Sequence, residues 1–209
     1  MTENFVEGPA EPATDLKQIV AAIILGIAAT LTALAAYNAA LSDGNALQGY
    51  TTASLKLNDA NAFYSQGNVA VASDQSLFIQ YAVAAQEGQE DLTAYLTTLM
   101  RPEMQQAVEW WIATDEALTP FDEVEGNPYA VPDFEEANSL EAEADAAFQE
   151  GSDEDSKGDK FELAVVLFAL ALFFGGIATL FRKASVSSAL LLMAGVAVTA
   201  GGLRLFTAF

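Results

Sequence analysis

The chain combines an apolar composition with a strong negative charge. It has 209 residues, of which 52% are apolar, and a formal net charge of -21 at pH 7. A soluble domain this acidic is rarely this apolar, so the composition predicts membrane spans joined to a charged aqueous segment. Cysteine and histidine are absent, which excludes disulfides, thiol nucleophiles, imidazole metal ligands and Ser-His-Asp triads. The acidity argues against binding of nucleic acid, whose phosphates would be repelled.

The first apolar stretch, residues 19–37, predicts a membrane span. As a helix it extends roughly 28 Å, close to the hydrocarbon thickness of a bilayer. The segment Ala33 to Ala35 resembles a signal-peptidase site, but a signal peptide needs a short basic leader. Residues 1–18 carry four acids and one lysine instead. We therefore predict an uncleaved transmembrane helix over 19–41 behind a cytoplasmic tail, 1–18.

The middle of the chain, residues 42–160, predicts an acidic helical domain in water. It carries 24 acidic residues against four basic ones. Apolar side chains recur there at helical spacing, which predicts a long helix, continuing the first span, with one seam toward a partner helix. The segment SQGN at 65–68 is a candidate break in that helix. The predicted seam consists of Leu47, Tyr50, Leu57, Tyr64, Val71 and Phe78.

Further helices are expected in the second half of this domain. The pattern predicts helices over 73–87 and 90–100, and one that opens at Pro102, because proline is favoured in the first helical turn. The proline-rich stretch 118–134 predicts a loop. A last helix over 133–150 would then return toward the membrane.

Two more spans follow close together. Residues 161–181 form an apolar run whose ionisable residue, Glu162, lies at its start, and residues 186–206 form another, with Arg204 near its end. A loop of only four residues, 182–185, separates them, which predicts a helical hairpin. The predicted fold is therefore an all-α integral membrane protein with three transmembrane helices and one extramembrane helical domain.

Basic residues near the span ends predict the orientation. Arg182 and Lys183 form the one adjacent basic pair and lie in the shortest loop, and Lys17 precedes the first span. By the positive-inside rule these residues are cytoplasmic. Residues 42–160 then lie outside the cytoplasm, in a protein of the cell membrane. Lys157 and Lys160 oppose this orientation, but they lie among acids in a long loop, where the rule has little weight.

The order of several segments resembles a known group of proteins. "LFIQYAVAAQEGQEDL", "RPEMQQAVEWWIA", "NPYAVPDF" and "DKFELAVVLFALALFFGGIATLFRK" occur in that order. Together they resemble a group of prokaryotic three-span membrane proteins of uncharacterised function, over roughly residues 16–206. The resemblance implies one N-terminal span, a helical middle domain and a C-terminal hairpin in the membrane, and it implies no catalytic residues. The acidity of residues 150–159 departs from that group.

The segment GSDEDSKGDK, residues 151–160, suggests a calcium loop at first sight. An EF-hand begun at Asp153 would place Gly158 correctly at position 6. It would also place Lys157 at a ligand position and Ala164 where a bidentate glutamate is required. The segment is therefore interpreted as a border, where glycines end one helix and the second span begins. Cations would be bound only loosely by its acids.

Neighbouring tryptophans and paired carboxylates are further candidates for chemistry. Trp110 and Trp111 point about 100° apart on a helix, so we expect one ring in a core and the other half exposed. Acidic pairs resemble those of hydrolases, but close acids are expected by chance in so acidic a domain. A solvated acidic face is the preferred interpretation of these pairs: Asp115 with Glu116, Asp122 with Glu123, and Glu135 with Glu136.

Small residues in the spans predict close contacts between helices in lipid. Packing within one molecule and self-association both remain open, because three spans offer little surface for internal contacts. The candidate residues are Ala22, Gly26 and Thr30 in the first span, and Gly195 with Thr199 and Ala197 with Gly201 in the third. Glu162 and Arg204 are expected to approach each other or to share the outer interface, since Arg204 can extend its charge to the surface.

No residue constellation points to catalysis or to a cofactor, so the sequence favours a non-enzymatic membrane scaffold or interaction protein. Its expected partners are the lipid bilayer and a second copy or another membrane protein. The alternative is a subunit of a small oligomeric cation channel or transporter whose acidic domain concentrates cations. A pore would then be lined by hydroxyl-bearing residues: Thr30, Thr32, Ser187, Ser188 and Thr199.

Overall fold

The computed structural model describes residues 16–114, 119–181 and 183–209, and within these ranges every regular element is an α-helix. Three of the helices, α1, α4 and α5, are long and apolar enough to cross a membrane. The all-α fold with three helices able to span a bilayer is thus confirmed, whereas the extramembrane position of the middle domain stays a prediction. The helices are α1 (Leu16–Gln86), α2 (Glu90–Leu99), α3 (Pro102–Thr114), α4 (Pro132–Ala178) and α5 (Ala184–Ala208).

The helices form two compact units. Unit 1 comprises the described residues up to Gly49 together with Gln149–Phe209, and unit 2 comprises Tyr50–Phe148. Helices α1 and α4 contribute to both units, so unit 1 consists of two separate stretches of chain, whereas unit 2 is one continuous stretch. The limits predicted at residues 42 and 160 fall inside helices α1 and α4. They mark where the composition of the chain changes, whereas the two units are divided where the contacts between residues change.

Small residues bring the helices of unit 1 together. The buried residues of α1 recur every seventh position, and a second series is interleaved with them. This heptad spacing is typical of helices that pack as a coiled coil. Phe168 of α4 is fully buried and, with Phe161 and Leu205, fills the space left between these small residues. The two series in unit 1 are Ala21, Ala28, Ala35 and Ser42, and Ala39 with Ala46.

Helices α1 and α4 also pack against each other in unit 2, in antiparallel orientation. Lys56 binds Glu143, and farther along α1 Tyr64 binds Asn138, so partner numbers fall along α4 as those of α1 rise. The Phe134 ring lies over Gly67, where an added Cβ would come within 2.5 Å of the ring. The buried seam of α1 thus consists of alanine and glycine, which allows close approach of the helices.

The predicted apolar seam of α1 is partly right, since Tyr50 and Tyr64 contact Phe148 and Phe134 of α4. Leu47 and Leu57 are exposed, and among the six residues named only Phe78 is buried. Alanines occupy the true seam because two closely packed helices leave no room for larger side chains. The break at 65–68 is also wrong, since α1 continues through it and includes the helix predicted over 73–87.

The segment GSDEDSKGDK is not a border between helices. Residues 151–160 lie inside α4, which continues from Pro132 to Ala178. Gly151 and Gly158 are buried. A Cβ at Gly158 would lie 2.5 Å from Oδ1 of Asp43. Neither glycine ends a helix, and Gly158 permits close contact with α1. Lys157 pairs with Glu154 one turn away, which lowers the pKa of that carboxyl.

The remaining elements follow the predictions closely. Helices α2 and α3 begin at Glu90 and Pro102, and the proline-rich stretch is non-helical from residue 119 to Val131. The hairpin between α4 and α5 is also confirmed, with its connection at 179–183 rather than 182–185. Ser187 closes this hairpin by donating a hydrogen bond of 2.9 Å to the carbonyl of Ala178.

Candidate functional site

The small-residue face of the first span is left uncovered within unit 1. Ala22, Gly26 and Thr30 are all exposed, whereas the neighbouring series Ala21 and Ala28 is buried. An added Cβ at Gly26 would meet no atom within 4 Å. The Thr30 hydroxyl donates to the Gly26 carbonyl of the same helix. This face therefore takes no part in packing among the described residues of the unit.

The corresponding residues of α5 fall into two groups. Gly201 is buried under Phe168, and a Cβ there would lie 2.7 Å from the ring. Ala197 is also buried. Gly195 has no neighbour within 4 Å of a built Cβ, and Thr199 is exposed. Of the seven predicted packing residues, Ala197 and Gly201 are buried inside the unit, and the other five remain available to a neighbouring molecule.

Glu162 and Arg204 lie at the same end of unit 1 without an ion pair between them. The rings of Phe161 and Phe209 are 5.2 Å apart, which brings the start of the second span beside the end of α5. Both charged residues are exposed. The four ion pairs among the described residues do not include these two. Their position at one membrane interface stays a prediction.

Two of the three residues that predict topology, Lys17 and Lys183, lie at the other end of unit 1. Lys17 and Gln18 line a cavity of about 270 Å³ together with Thr179 and Ser187 of the hairpin. The N-terminal end of α1 therefore lies beside the connection between α4 and α5, where Lys183 is exposed. Arg182 lies outside the described residues. This placement agrees with one common side for these basic residues.

Unit 2 contains a buried ion pair that the sequence interpretation missed. The side chain of Asp74 in α1 is 1% exposed and accepts hydrogen bonds from Arg101, which lies just before α3. The Nε of Arg101 is 3.2 and 3.0 Å from the two carboxylate oxygens, and Nη2 is 2.6 Å from Oδ2. Such a two-pronged pair is among the strongest charge-assisted contacts in proteins.

Two further groups complete this network. The Tyr129 hydroxyl donates to Asp74 over 3.0 Å, and Arg101 also donates to the carbonyl of Ala130 and contacts Glu103. Burial, followed by the negative charge of Asp74, raises the pKa of Tyr129 to about 12. The network therefore ties α1, the start of α3 and the loop before α4 together. Since Asp74 is fully paired, this arrangement suits a structural role better than acid-base chemistry.

One sequence signal points to this pair in retrospect. Asp74 occupies the next heptad position after Ala53, Ala60 and Gly67, so a charge stands where every earlier residue is small and buried. Arg101 is the only basic residue between Lys56 and Lys157. An acid in a buried series needs a basic partner, and unit 2 offers only Lys56 and Arg101.

The aromatic core of unit 2 lies next to this network. Phe78 contacts Trp111 and Phe121 edge to face, with ring centroids 5.3 and 5.5 Å apart. Phe121 in turn contacts Tyr129 at 5.0 Å. Trp111 thus packs against the core as predicted for one ring of the pair, and Trp110 is half-buried beside Gly126.

The acidic pairs show no shared geometry that marks a reactive site. Asp122 caps its own turn by accepting hydrogen bonds from the backbone and hydroxyl of Thr119. Glu135 and Glu136 are exposed, and Asp115 with Glu116 lies outside the described residues. Within the described part of the chain, no three acidic residues converge closely enough to hold a metal ion.

An apolar groove opens on unit 2 between the end of α1 and α2. Its volume is about 320 Å³, and its floor is formed by the buried residues Ala84 and Leu96. Ile79, Val83 and Leu92 form its walls and stay largely exposed. Gly88, with a φ of 71°, permits the tight turn that joins the two helices.

Comparison with known proteins adds no further guide: no protein-family model, no curated protein and no solved structure matches the chain. The resemblance to three-span prokaryotic proteins therefore stays a prediction.

Proposed function

We propose that the protein is a non-enzymatic membrane scaffold that associates with a second copy of itself through its first span. The observation that carries this proposal is the uncovered face formed by Ala22, Gly26 and Thr30 in α1. Small residues let helix backbones approach closely in lipid, where packing replaces the hydrophobic effect as the driving force. The internal contacts of α1 use a different face, so association need not disturb them.

The charge of unit 2 supports a role outside the cytoplasm. Its sequence carries 18 acidic residues and two basic ones. Lys17 lies at the start of α1 and Lys183 just before α5, at the same end of unit 1. The positive-inside rule therefore favours a cytoplasmic hairpin and an exterior acidic domain. The spans would then hold an acidic helical domain at the cell surface, where it can meet partners.

Crosslinking in native membranes tests the self-association. Substitution of Gly26 by leucine adds a bulky side chain to the uncovered face, so we expect the dimer band to fall at least severalfold. Ala169→Leu is the matched control, since Ala169 is an exposed alanine in the span of α4. Equal dimer yields from wild type, Gly26→Leu and Ala169→Leu, or monomers alone in every sample, would refute the proposal.

The alternative function, a cation-channel subunit, rests on the acidity of unit 2 and on hydroxyls in the spans. The hydroxyls of Thr30, Thr32 and Thr199 each donate to a carbonyl of their own helix, and that of Ser187 donates to Ala178. Such bonds are common in any apolar helix and do not by themselves mark a pore. Conductance of the purified protein in planar bilayers would favour the channel over the scaffold.

A further inference from the structure

The groove between α1 and α2 has the features of a docking surface for a helix. Ile79 and Val83 lie one turn apart on α1 and are 63% and 50% exposed, respectively. Leu92, Tyr95 and Leu99 of α2 are also exposed and follow helical spacing of three and four residues. Two apolar ridges thus flank a floor formed by Ala84 and Leu96. Grooves of this kind receive apolar side chains spaced one turn apart on a partner helix.

The charged residues at the groove are acidic, beside the neutral Gln80 and Gln89 of its lining. Glu87 belongs to its lining, and Glu90 and Asp91 form the first turn of α2. All three carboxylates are exposed. Arg101, the next basic residue along the chain, is paired with the buried Asp74. The groove therefore combines an apolar floor with a negative rim whose carboxylates form none of the ion pairs found among the described residues.

This charge pattern distinguishes among possible occupants. A second copy that presented the same groove would bring its own three carboxylates against these three, which like charges disfavour. An anionic lipid surface would be repelled for the same reason. An apolar helix face flanked by lysine or arginine would satisfy both the floor and the rim.

We propose that this groove, formed by Ile79, Val83, Ala84, Leu92 and Leu96 and rimmed by Glu87, Glu90 and Asp91, binds a cationic amphipathic helix of a partner protein. The inference deepens the proposed scaffold role by naming the chemistry of its partner. It concerns a surface of unit 2, so it is tested separately from association through Gly26.

The experiment uses the full chain in nanodiscs of zwitterionic lipid and two designed peptide probes of 18 residues. Both peptides carry leucines at helical positions i, i+4 and i+7. One bears lysines on the remaining face and the other bears glutamates. Fluorescence anisotropy measures their binding, with empty nanodiscs as the blank. We expect the lysine peptide to bind at least tenfold more tightly than the glutamate peptide, and its affinity to fall as salt is raised.

Two pairs of variants separate groove binding from general attraction to an acidic protein. Ile79→Ser with Val83→Ser keeps every charge, and we expect it to weaken the lysine peptide about tenfold. Leu55→Ser with Val69→Ser is the matched control, since these apolar residues are equally exposed on the same helix, and should leave binding unchanged. Loss of the rim charge in Glu87→Gln, Glu90→Gln and Asp91→Asn should flatten the salt dependence.

Several results would overturn the proposal. Equal affinity of the two peptides would show that charge does not select the occupant. Equal weakening by both serine pairs, or by neither, would show that the groove is not the site. Crosslinks between two copies through Val83 would assign the groove to self-association instead.

Discussion

Arg101 donates to Asp74 from two of its nitrogens, one of them 2.6 Å from Oδ2, and so pairs with the one buried acid among the described residues of unit 2. The two residues are 27 positions apart in the sequence and belong to different segments. Their contact explains how a domain of such negative charge can keep a carboxylate inside. It also makes the pair the most sensitive point of unit 2.

Removal of Arg101 should destabilise unit 2 strongly. The Arg101→Met variant has an apolar side chain of similar length, but it leaves Asp74 buried without its cationic partner. The loss of this partner should lower the free energy of unfolding by about 3 kcal/mol. Denaturation of the full chain in detergent, followed by tryptophan fluorescence, measures this loss, because both tryptophans belong to unit 2.

Lys56→Met is the matched control for Arg101→Met. Lys56 pairs with Glu143 at an exposed position, and exposed pairs contribute little because water already solvates both charges. A loss of stability in Lys56→Met as large as that in Arg101→Met would contradict the assignment of Asp74 and Arg101 as the structural pair.

Stability should also fall at high pH through Tyr129. The pKa of Tyr129 is raised to about 12 in the folded protein, against about 10 for a tyrosine in an unfolded chain. The unfolded state therefore loses the phenol proton first. The contribution of Tyr129 is fully present below pH 10 and is lost as the pH rises to 12.

Comparison of wild type with Tyr129→Phe measures this effect. The free energy of unfolding should fall more steeply between pH 10 and 12 for the wild type than for Tyr129→Phe. In a titration followed by tyrosinate absorbance, the ionisation step at the highest pH should be absent from the variant. Tyr95→Phe controls for the loss of one phenol at an exposed site. Parallel stability curves for wild type and Tyr129→Phe would contradict the burial of Tyr129 against Asp74.

The close contact at Gly67 gives a sharper prediction about the α1–α4 interface. A methyl group at this position would come within 2.5 Å of the Phe134 ring, so Gly67→Ala should lower the free energy of unfolding by about 1–3 kcal/mol. The neighbouring Asn68 is exposed, and Asn68→Ala should be neutral or slightly stabilising because alanine favours helix. Stabilisation by both substitutions would mean that the two helices lie farther apart.

Single cysteines can map the topology without background labelling, since the chain contains none. We expect Asn138→Cys in unit 2 to react with a membrane-impermeant maleimide added to intact cells. Ser185→Cys, two residues after Lys183, should react only after the cells are opened. The reverse pattern would place the acidic unit in the cytoplasm and remove the support that Lys17 and Lys183 give to the proposed orientation.

The number of apolar helices long enough to span a membrane and the positions of α2 and α3 could be predicted from the sequence, because these features depend on local signals. Apolar length predicts a span, and Pro102 marks the first turn of a helix. The prediction that Gly151 and Gly158 end a helix is wrong for the same reason. Local preference treats glycine as a helix end, whereas in this fold Gly158 is required by the nearness of Asp43.

The buried pair and the groove could not be predicted from local signals. Asp74 and Arg101 meet only because α1 and the turn before α3 are brought together, and periodicity alone does not show which acid is buried. Likewise, Ile79 and Val83 read as part of an amphipathic helix, and only the position of α2 shows that they remain uncovered. Contacts between segments distant in sequence decide both features.

The heptad of small residues in α1 has a consequence for how the helices of unit 1 find their register. Ala21, Ala28 and Ala35 present nearly the same surface at each repeat, so a slip of seven residues would match alanine with alanine again. Large side chains must distinguish one alignment from the next. Phe168 lies over Gly201, where an added Cβ would come within 2.7 Å of its ring, whereas a pairing of α4 with α5 shifted by seven residues would press the ring against the methyl group of Ala194 or Ala208. One phenylalanine thus specifies an alignment that the repeating alanines leave undecided.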